Sequence, residues 1–338
     1  MKISVICFSN SGAVLSKKLS ELLTDDEIKI HSVNKYADKY GFVSHESIKK
    51  DMNTLFTEND ALVFVCACGI AVREIADSIK SKQTDPAVIV IDDKGRYVIP
   101  ILSGHIGGAN SLSKRIASLL DATAIITTAT DSHGLFSCDG WASEHNCVIS
   151  SLKVAKEISA AILETDVSVS SEYELPADLP GGLVNRDNGE IGIYIGIKPC
   201  SPYSITLNLI PRVINVGVGC RRDTPKETIL SVIKEAMDLY NADMRSVKQI
   251  ASIDVKKDET GILECAKELN VPVAFFSAEQ LNSVKGDFEE SEFVKNTVGT
   301  GNVCERSAVL AGGELVFGKY SKNGVTVALS KANWRIEF

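Results

Sequence analysis

The run Ala87–Asn110, AVIVIDDKGRYVIPILSGHIGGAN, decides how the rest of the chain is read. Ala87–Ile91 is an unbroken apolar run of strand length, and such a run marks a strand buried on both faces. Asp92-Asp93-Lys94-Gly95 has the chemistry of a hairpin turn, so Tyr97–Leu102 is the returning strand. Three glycines and a histidine then lead into an amphipathic helix from Ala109 to Leu120. Upstream, Ile3–Phe8 reads as a strand and Ala13–Leu23 as a helix whose apolar stripe is Val14, Leu15, Leu19, Leu22 and Leu23. Ala61–Cys66 is a further strand with a helix from Ile70 to Lys80 behind it, and a strand at Ala124–Thr128 closes the series. Strand and helix alternating in this way predict an α/β fold with a mostly parallel sheet and one antiparallel excursion at the hairpin.

The pattern restarts at Arg212. Val213–Val218 is a strand, Gly219–Arg222 a turn, and Thr224-Pro225-Lys226-Glu227 a capping box with Thr224 as N-cap and Glu227 reaching back. Strands at Ile250–Asp254, Val273–Phe276, Leu315–Phe317 and Val325–Leu329 alternate with helices near Gly261–Leu269 and Val303–Ala311. Between the two halves lies a stretch broken by Pro176, Pro180-Gly181-Gly182, Pro199 and Pro202, with a helix near Leu152–Leu163 and strands at Ile191–Ile197 and Ile205–Leu209. The expected organisation is an N-terminal α/β domain over residues 1–139, a small α+β module over 140–210, and a C-terminal α/β domain over 211–338.

Composition excludes several classes. The 338 residues carry 36 Lys and Arg against 44 Asp and Glu, a net charge of −8. That field repels phosphate backbones, and 6% aromatic residues leave little to stack on bases, so nucleic acid is not an expected partner. No apolar run reaches the roughly 20 residues that a membrane helix needs. The opening MKISVICFSNSG reads as a strand and a Ser/Gly turn rather than as a leader. Nine cysteines, an odd number without framework spacing, point to free thiols and a cytoplasmic setting. Cys66-Ala67-Cys68, placed on a strand, would aim two thiols at one face, but without further ligands it does not make a zinc site.

Three turns in the first half can carry chemistry. Ser103-Gly104-His105-Ile106-Gly107-Gly108-Ala109-Asn110 is a glycine-rich turn opening a helix, suited to close approach of a ligand or an anion, or else simply a tight turn. It has neither the Lys-Ser/Thr ending of a P-loop nor dinucleotide spacing. Thr127-Thr128-Ala129-Thr130-Asp131-Ser132-His133-Gly134 gathers hydroxyls, a carboxylate and an imidazole after a strand, where α/β sheets bind ligands; its alternative is a capped turn with a surface histidine. Cys68–Arg73, after another strand, offers Arg73 to a carboxylate, or is an ordinary exposed arginine. In the second half Gly217–Arg222 repeats the logic with Arg221 and Arg222 beside Gly219. Asp254–Glu259 sets Lys256 among mixed charges that also suit a solvated loop.

These segments resemble the cobalamin biosynthesis protein G family, the cobalt-precorrin-5A hydrolases. The resemblance rests on Gly69–Arg73, Asp85–Val88, Leu102–Asn110, Ile126–Asp131 and Asp139-Gly140-Trp141-Ala142. It continues through Gly217–Arg222 with Thr224-Pro225, Ala251–Glu259, Phe275–Glu279, Val303-Cys304-Glu305 and Asn323–Ala328. Asp223 stands where the family commonly has glycine, and Gln280 where it commonly has an acid. The resemblance implies a hydrolase that opens the δ-lactone of a cobalt-bearing, polycarboxylate macrocycle with water and releases acetaldehyde. It further implies His105 and Asp131 as candidates for water activation, with Gly107 and Gly108 N–H groups as oxyanion donors. Gly69, Arg73, Ser103, Gly104, Asn110, Thr128, Thr130, Gly219, Arg221, Arg222 and Lys256 complete the expected substrate contacts. No cofactor beyond the substrate's own cobalt is expected, and other enzymes of that pathway are the expected transient partners. Two alternatives stand beside this expectation, a non-catalytic corrinoid carrier and a metal-dependent hydrolase using His105, Asp131 and His133.

Overall fold

In the computed structural model, which describes residues 1–81, 84–105 and 107–338, the chain forms two compact units, Met1–Glu144 and His145–Phe338. Ile106 of the glycine-rich turn lies outside the described residues.

The first unit runs β1 (Lys2–Cys7), α1 (Asn10–Leu22), β2 (Glu27–Val33), α2 (Asn34–Tyr40), β3 (Val43–His45), α3 (Ile48–Glu58), β4 (Ala61–Val65) and α4 (Cys68–Ile75). It continues with β5 (Ala87–Ile91), β6 (Tyr97–Leu102), α5 (Ala109–Leu120), β7 (Thr123–Ala124), α6 (Ala129–Ser132) and α7 (Cys138–Glu144). Its seven-stranded sheet has the order β3-β2-β1-β4-β5-β6-β7. β1 to β5 are parallel, and β6 returns antiparallel to β5. Alternate side chains of the central strands feed two cores. Val5, Val63 and Ile89 pack under α1 and α5, while Ile6, Phe64 and Val90 pack under α3 and α4. Burial on both faces is the physical reason that these strands read as continuous apolar runs. β2 to α3 escape the apolar pattern because β2, near the sheet edge, alternates exposed and half-buried positions over its first four residues.

The structure moves several expected boundaries. The strand expected at Ala124–Thr128 pairs only through Thr123 and Ala124. Ile125 N–H donates to the Val98 carbonyl, so the next ladder bond would need an N–H two residues on, where Pro100 has none. The helix expected to reach Lys80 stops at Ile75, and the Asp85 carboxylate then accepts from the Lys80 and Ser81 N–H groups. Cys68 begins α4 rather than sharing a strand with Cys66.

The second unit opens with β8 (Cys147–Ile149), α8 (Leu152–Ala161), β9 (Val167–Ser171), β10 (Leu183–Asn185), β11 (Ile191–Ile195) and β12 (Ile205–Pro211), a sheet of order β10-β9-β11-β12-β8 that is parallel except for β8. A further sheet, β15-β14-β13-β17-β16, comes from β13 (Ile214–Cys220), α9 (Lys226–Tyr240), β14 (Val247–Ile253), α10 (Thr260–Leu269), β15 (Val273–Phe276), α11 (Ala278–Ser283), α12 (Glu292–Val298), α13 (Cys304–Leu310), β16 (Glu314–Lys322) and β17 (Val325–Lys331). β13, β14 and β15 are parallel, and the β16–β17 hairpin runs against them. α9 and α10 cover one core, and α13 lies directly on β13. A Cβ on Gly217 would come 1.8 Å from the Cys304 carbonyl oxygen, so that contact needs glycine.

The expected capping box at Thr224 does not form. Pro225 is the N-cap, with no side-chain cap bond, and the Thr224 hydroxyl donates to the Arg221 carbonyl instead. A capping box does form at Ser277 and Gln280, which gives that glutamine its local role. All nine cysteines are free, and among the described residues no helix is long and apolar enough to cross a membrane.

Candidate active site

The glycine-rich turn folds back on itself. Ser103 takes a left-handed φ of 56° and donates its hydroxyl to the Asp85 carbonyl at 3.0 Å. A Cβ on Gly107 would lie 2.4 Å from Ser103 Cβ, so the tightness of the turn, rather than a ligand, demands that glycine. Gly108, at φ 78°, is the N-cap of α5. Its N–H donates to the His105 carbonyl at 2.9 Å and is not free to meet an oxyanion in this conformation.

His105 leaves this turn between two carboxylates. Its Nε2 is 2.9 Å from Asp131 Oδ2 and its Nδ1 is 3.3 Å from Asp139 Oδ1. With an acceptor on each nitrogen, the ring is held with both protons, as imidazolium. The Asp139 hydrogen bond and charge, together with those of Asp131, push its pKa up against the opposing effect of burial. Asp131 Oδ2 also accepts from Thr128 Oγ1 at 2.7 Å and Asn110 Nδ2 at 3.0 Å, while Lys114 Nζ donates to Oδ1 at 3.0 Å. Burial alone would raise the Asp131 pKa, but the bonds from Thr128, Lys114 and His105 outweigh it and hold the carboxyl far below the usual range. Asp139 shows the same balance, with burial opposed by His105 and by the Ser137 hydroxyl at 2.9 Å. The cluster is thus a charged donor on a fixed mount, better built to give a proton than to take one.

The structure gathers Ser103, Gly104, His105, Gly107, Gly108, Asn110, Thr128, Thr130 and Asp131 at one end of the first sheet. Thr130 Oγ1 is buried there without a partner among the described residues. Gly69 and Arg73 are elsewhere. β6 runs opposite to β4, so its carboxyl end lies at the other edge of the sheet from α4, about 15 Å away across a five-residue strand. Arg73 Nη1 instead donates to the Gly69 carbonyl at 3.0 Å. His133 is also apart, exposed, with its Nδ1 at 2.9 Å from the Ala129 carbonyl. Among the described residues no three His, Cys, Asp or Glu side chains are arranged to hold a metal ion.

The second unit has a cavity of about 590 Å³ at the carboxyl ends of β13 and β14, where α/β sheets bind ligands. Gly219, Arg221, Arg222 and Lys256, the substrate contacts that the resemblance implies for this half, all line it. The β16–β17 hairpin adds Lys319 and Gly324, and α12 adds Phe293 and Val294. Glu305, 5% exposed, ties these walls together by accepting from Lys319 N–H at 2.8 Å, Glu289 N–H at 3.1 Å and the Asn302 amide. Asp223, at the mouth of this turn, has φ 58°, the left-handed region that favours glycine.

Comparison with known proteins gives the family. The family described as Cobalamin synthesis G N-terminal matches residues 50–131, and Cobalamin synthesis G C-terminus matches 214–330. The chain is 31% identical to the cobalt-precorrin-5A hydrolase of Salmonella typhimurium, over 98% of each chain. The chain belongs to the cobalamin synthesis protein G family. The Priestia megaterium cobalt-precorrin-5A hydrolase is 29% identical over 96% of this chain and 94% of its own. A solved structure described as a putative cobalamin biosynthesis protein G homolog, from Sulfolobus solfataricus, is 24% identical, covers 98% of this chain and 97% of its own, and has a TM-score of 0.42.

The cavity falls within the C-terminal protein G match, and the histidine cluster straddles the end of the N-terminal one. Asp139 lies just beyond that match, and the sequence reading did not single it out although it opens the quoted block Asp139–Ala142. Lys114, Asn302 and Lys319 were missed as well. Lys114 is on a helix surface and Lys319 in a half-exposed strand, where a lone cation carries no local signal.

Proposed function

We propose that the chain is a cobalt-precorrin-5A hydrolase of cobalamin biosynthesis. The observation that carries this reading is the end-to-end match to the Salmonella hydrolase, which includes both polar sites. In the reaction, water attacks the lactone carbonyl and the acyl–oxygen bond breaks, giving a carboxylate and an alcohol. The alcohol then loses its O–H proton as the carbon–carbon bond to the ring breaks. The two-carbon unit leaves as acetaldehyde, and the electron pair passes into the macrocycle. No redox partner is consumed, and the only metal the step calls for is the cobalt that the substrate brings.

His105 serves this chemistry as the proton donor to the lactone oxygen, with its longer bond, Nδ1 to Asp139 Oδ1 at 3.3 Å, giving way to the substrate. Asp131 and Asp139 keep it charged and oriented, one on each nitrogen. The hydrogen bonding disfavours Asp131 as the base that activates water, since four donors already converge on it and hold its carboxyl strongly acidic. Of the oxyanion donors expected from the sequence, Gly107 N–H is the one assigned here; the Thr130 hydroxyl has no partner among the described residues but is buried. Considered by itself, the cavity of the second unit is a binding site for carboxylate arms.

The test is incubation of the purified protein with cobalt-precorrin-5A, with acetaldehyde followed by a coupled alcohol dehydrogenase assay and the product by mass. Release of acetaldehyde with formation of the lactone-opened product is expected. Tight binding of the macrocycle without acetaldehyde would replace this reading by that of a carrier.

A further inference from the structure

Charge pairing separates the four cations that line the cavity of the second unit. Arg222 is bound in bidentate fashion to Asp258, with Nη1 at 2.8 Å from Oδ1 and Nη2 on Oδ2. Lys256 Nζ is 3.0 Å from Glu259, a carboxylate only 2% exposed, and Lys319 Nζ is 2.8 Å from Glu289. Among the described residues lining the cavity, Arg221 is the cation without an acidic partner. Its backbone N–H donates to the Gly324 carbonyl at 3.3 Å, and its side chain runs along Gly324, where a Cβ would lie 3.2 Å from Nε. Glycine at 324 therefore keeps open the track on which this guanidinium lies.

We propose that Arg221 is the carboxylate anchor of this cavity, and that its neighbour Arg222 is not. The inference deepens the proposed function and rests on it for the identity of the ligand, an amphipathic macrocycle bearing carboxylate arms. A cation already held by a carboxylate must give up that bond to take another, so the exchange gains little. A free guanidinium forms a new fork-on-carboxylate pair outright. The lining also includes Phe293, 79% exposed, with Val294 and Val298, apolar side chains suited to a ring face rather than to a further charge.

The test uses the full chain and cobyrinic acid, a corrin whose arms are free carboxylic acids, with its full methyl ester as the uncharged control. Arg221→Gln is expected to raise the Kd for cobyrinic acid about tenfold or more, equivalent to about 1.4 kcal/mol. Arg222→Gln is expected to change it less than about threefold, and neither variant should alter binding of the ester. Both side chains are at the surface, and thermal melts check that the variants stay folded. Equal losses in the two variants, an unchanged Kd in Arg221→Gln, or no binding by the unmodified chain would each overturn the proposal. In turnover, Arg221→Gln should raise KM and leave kcat alone. An unmodified chain that binds in this pattern but releases no acetaldehyde refutes the hydrolase reading and leaves the anchor standing. A chain that releases acetaldehyde with no Arg221 effect does the reverse.

Discussion

Replacing Asp131 by Asn tests the histidine cluster most directly, because the structure fixes what the amide must do. Three donors converge on Oδ2, from His105, Asn110 and Thr128, while the Lys114 ammonium, on a side chain 61% exposed, meets Oδ1. The carbonyl of the introduced amide must take the Oδ2 position, since an NH2 there would face three donors. Lys114 then swings into water at a cost of about 0–1 kcal/mol. The three remaining bonds survive but lose their ionic character, worth about 1 kcal/mol each. They share one acceptor and do not add, so a loss of about 2 kcal/mol is expected, with Asp131→Ala costing about 3–4 kcal/mol because a charged ring and two donors are left without an acceptor. Urea unfolding followed by Trp141 fluorescence in a Trp334→Phe background reports on the first unit, where Trp141 is 6% exposed. The pH dependence supplies the sign. A carboxyl whose folded pKa is depressed contributes stability above its unfolded value, about 3.9, and loses it as pH falls through the folded value. The gap between the parent and Asp131→Asn should therefore be full at pH 6–7 and shrink below about pH 4. A gap under about 0.5 kcal/mol at neutral pH, or one that stays constant into acid, would refute the hydrogen-bond inventory on which the site is built.

Other outcomes follow from the same geometry. His105→Ala should lower kcat for acetaldehyde release by about 10²–10⁴-fold with KM little changed; a loss under tenfold would remove His105 from the chemistry. Because the His105 pKa is raised, turnover should fall on the alkaline side as the imidazolium is lost, and Asp139→Asn should move that fall to lower pH. A rate that climbs through the same limb would identify His105 as a base instead. Gly217→Ala should destabilise the second unit by about 3 kcal/mol or more, read as a lowered Tm, since its Cβ would overlap the Cys304 carbonyl and force β13 and α13 apart.

The apolar runs of β1, β4 and β5 announced themselves because both of their faces are buried, and the hairpin at Asp92–Gly95 was readable from its turn chemistry. What pattern alone could not supply was the consequence of that hairpin. Once β6 returns antiparallel, with β7 parallel to it, the turns that follow these two strands emerge at the opposite end of the sheet, which carries His105 and Asp131 away from Gly69 and Arg73. The rule that ligands gather at strand carboxyl ends therefore names two edges here, not one. The capping box at Thr224 failed for a smaller reason. Pro225 takes an extended ψ of 145°, so the helix frame starts one residue later than the motif assumes. Asp139 was beyond reach because its partner, His105, lies 34 positions earlier, and nothing local to either residue records the contact.

The charge of the chain gains a different meaning from these pairings. A net charge of −8 is unfavourable for a polycarboxylate at long range, but at physiological salt charges beyond about 8 Å are largely screened. Within that distance the cavity is close to balanced, since Asp258, Glu259 and Glu289 cancel three of its four cations. The paired cations then act chiefly as structure. Lys256 is tied to a buried acid at the end of β14, and Lys319 is held through its N–H by Glu305. Their apolar stems line the wall while their charges are spent. A site made of four free cations would attract any anion of sufficient charge and would repel itself when empty. In the proposed anchor, one guanidinium that is free among the described residues asks the ligand for a carboxylate at a defined place and for an apolar face beside it. That would be selection by position rather than by field, and on the proposed function it lets an acidic protein bind an acidic macrocycle.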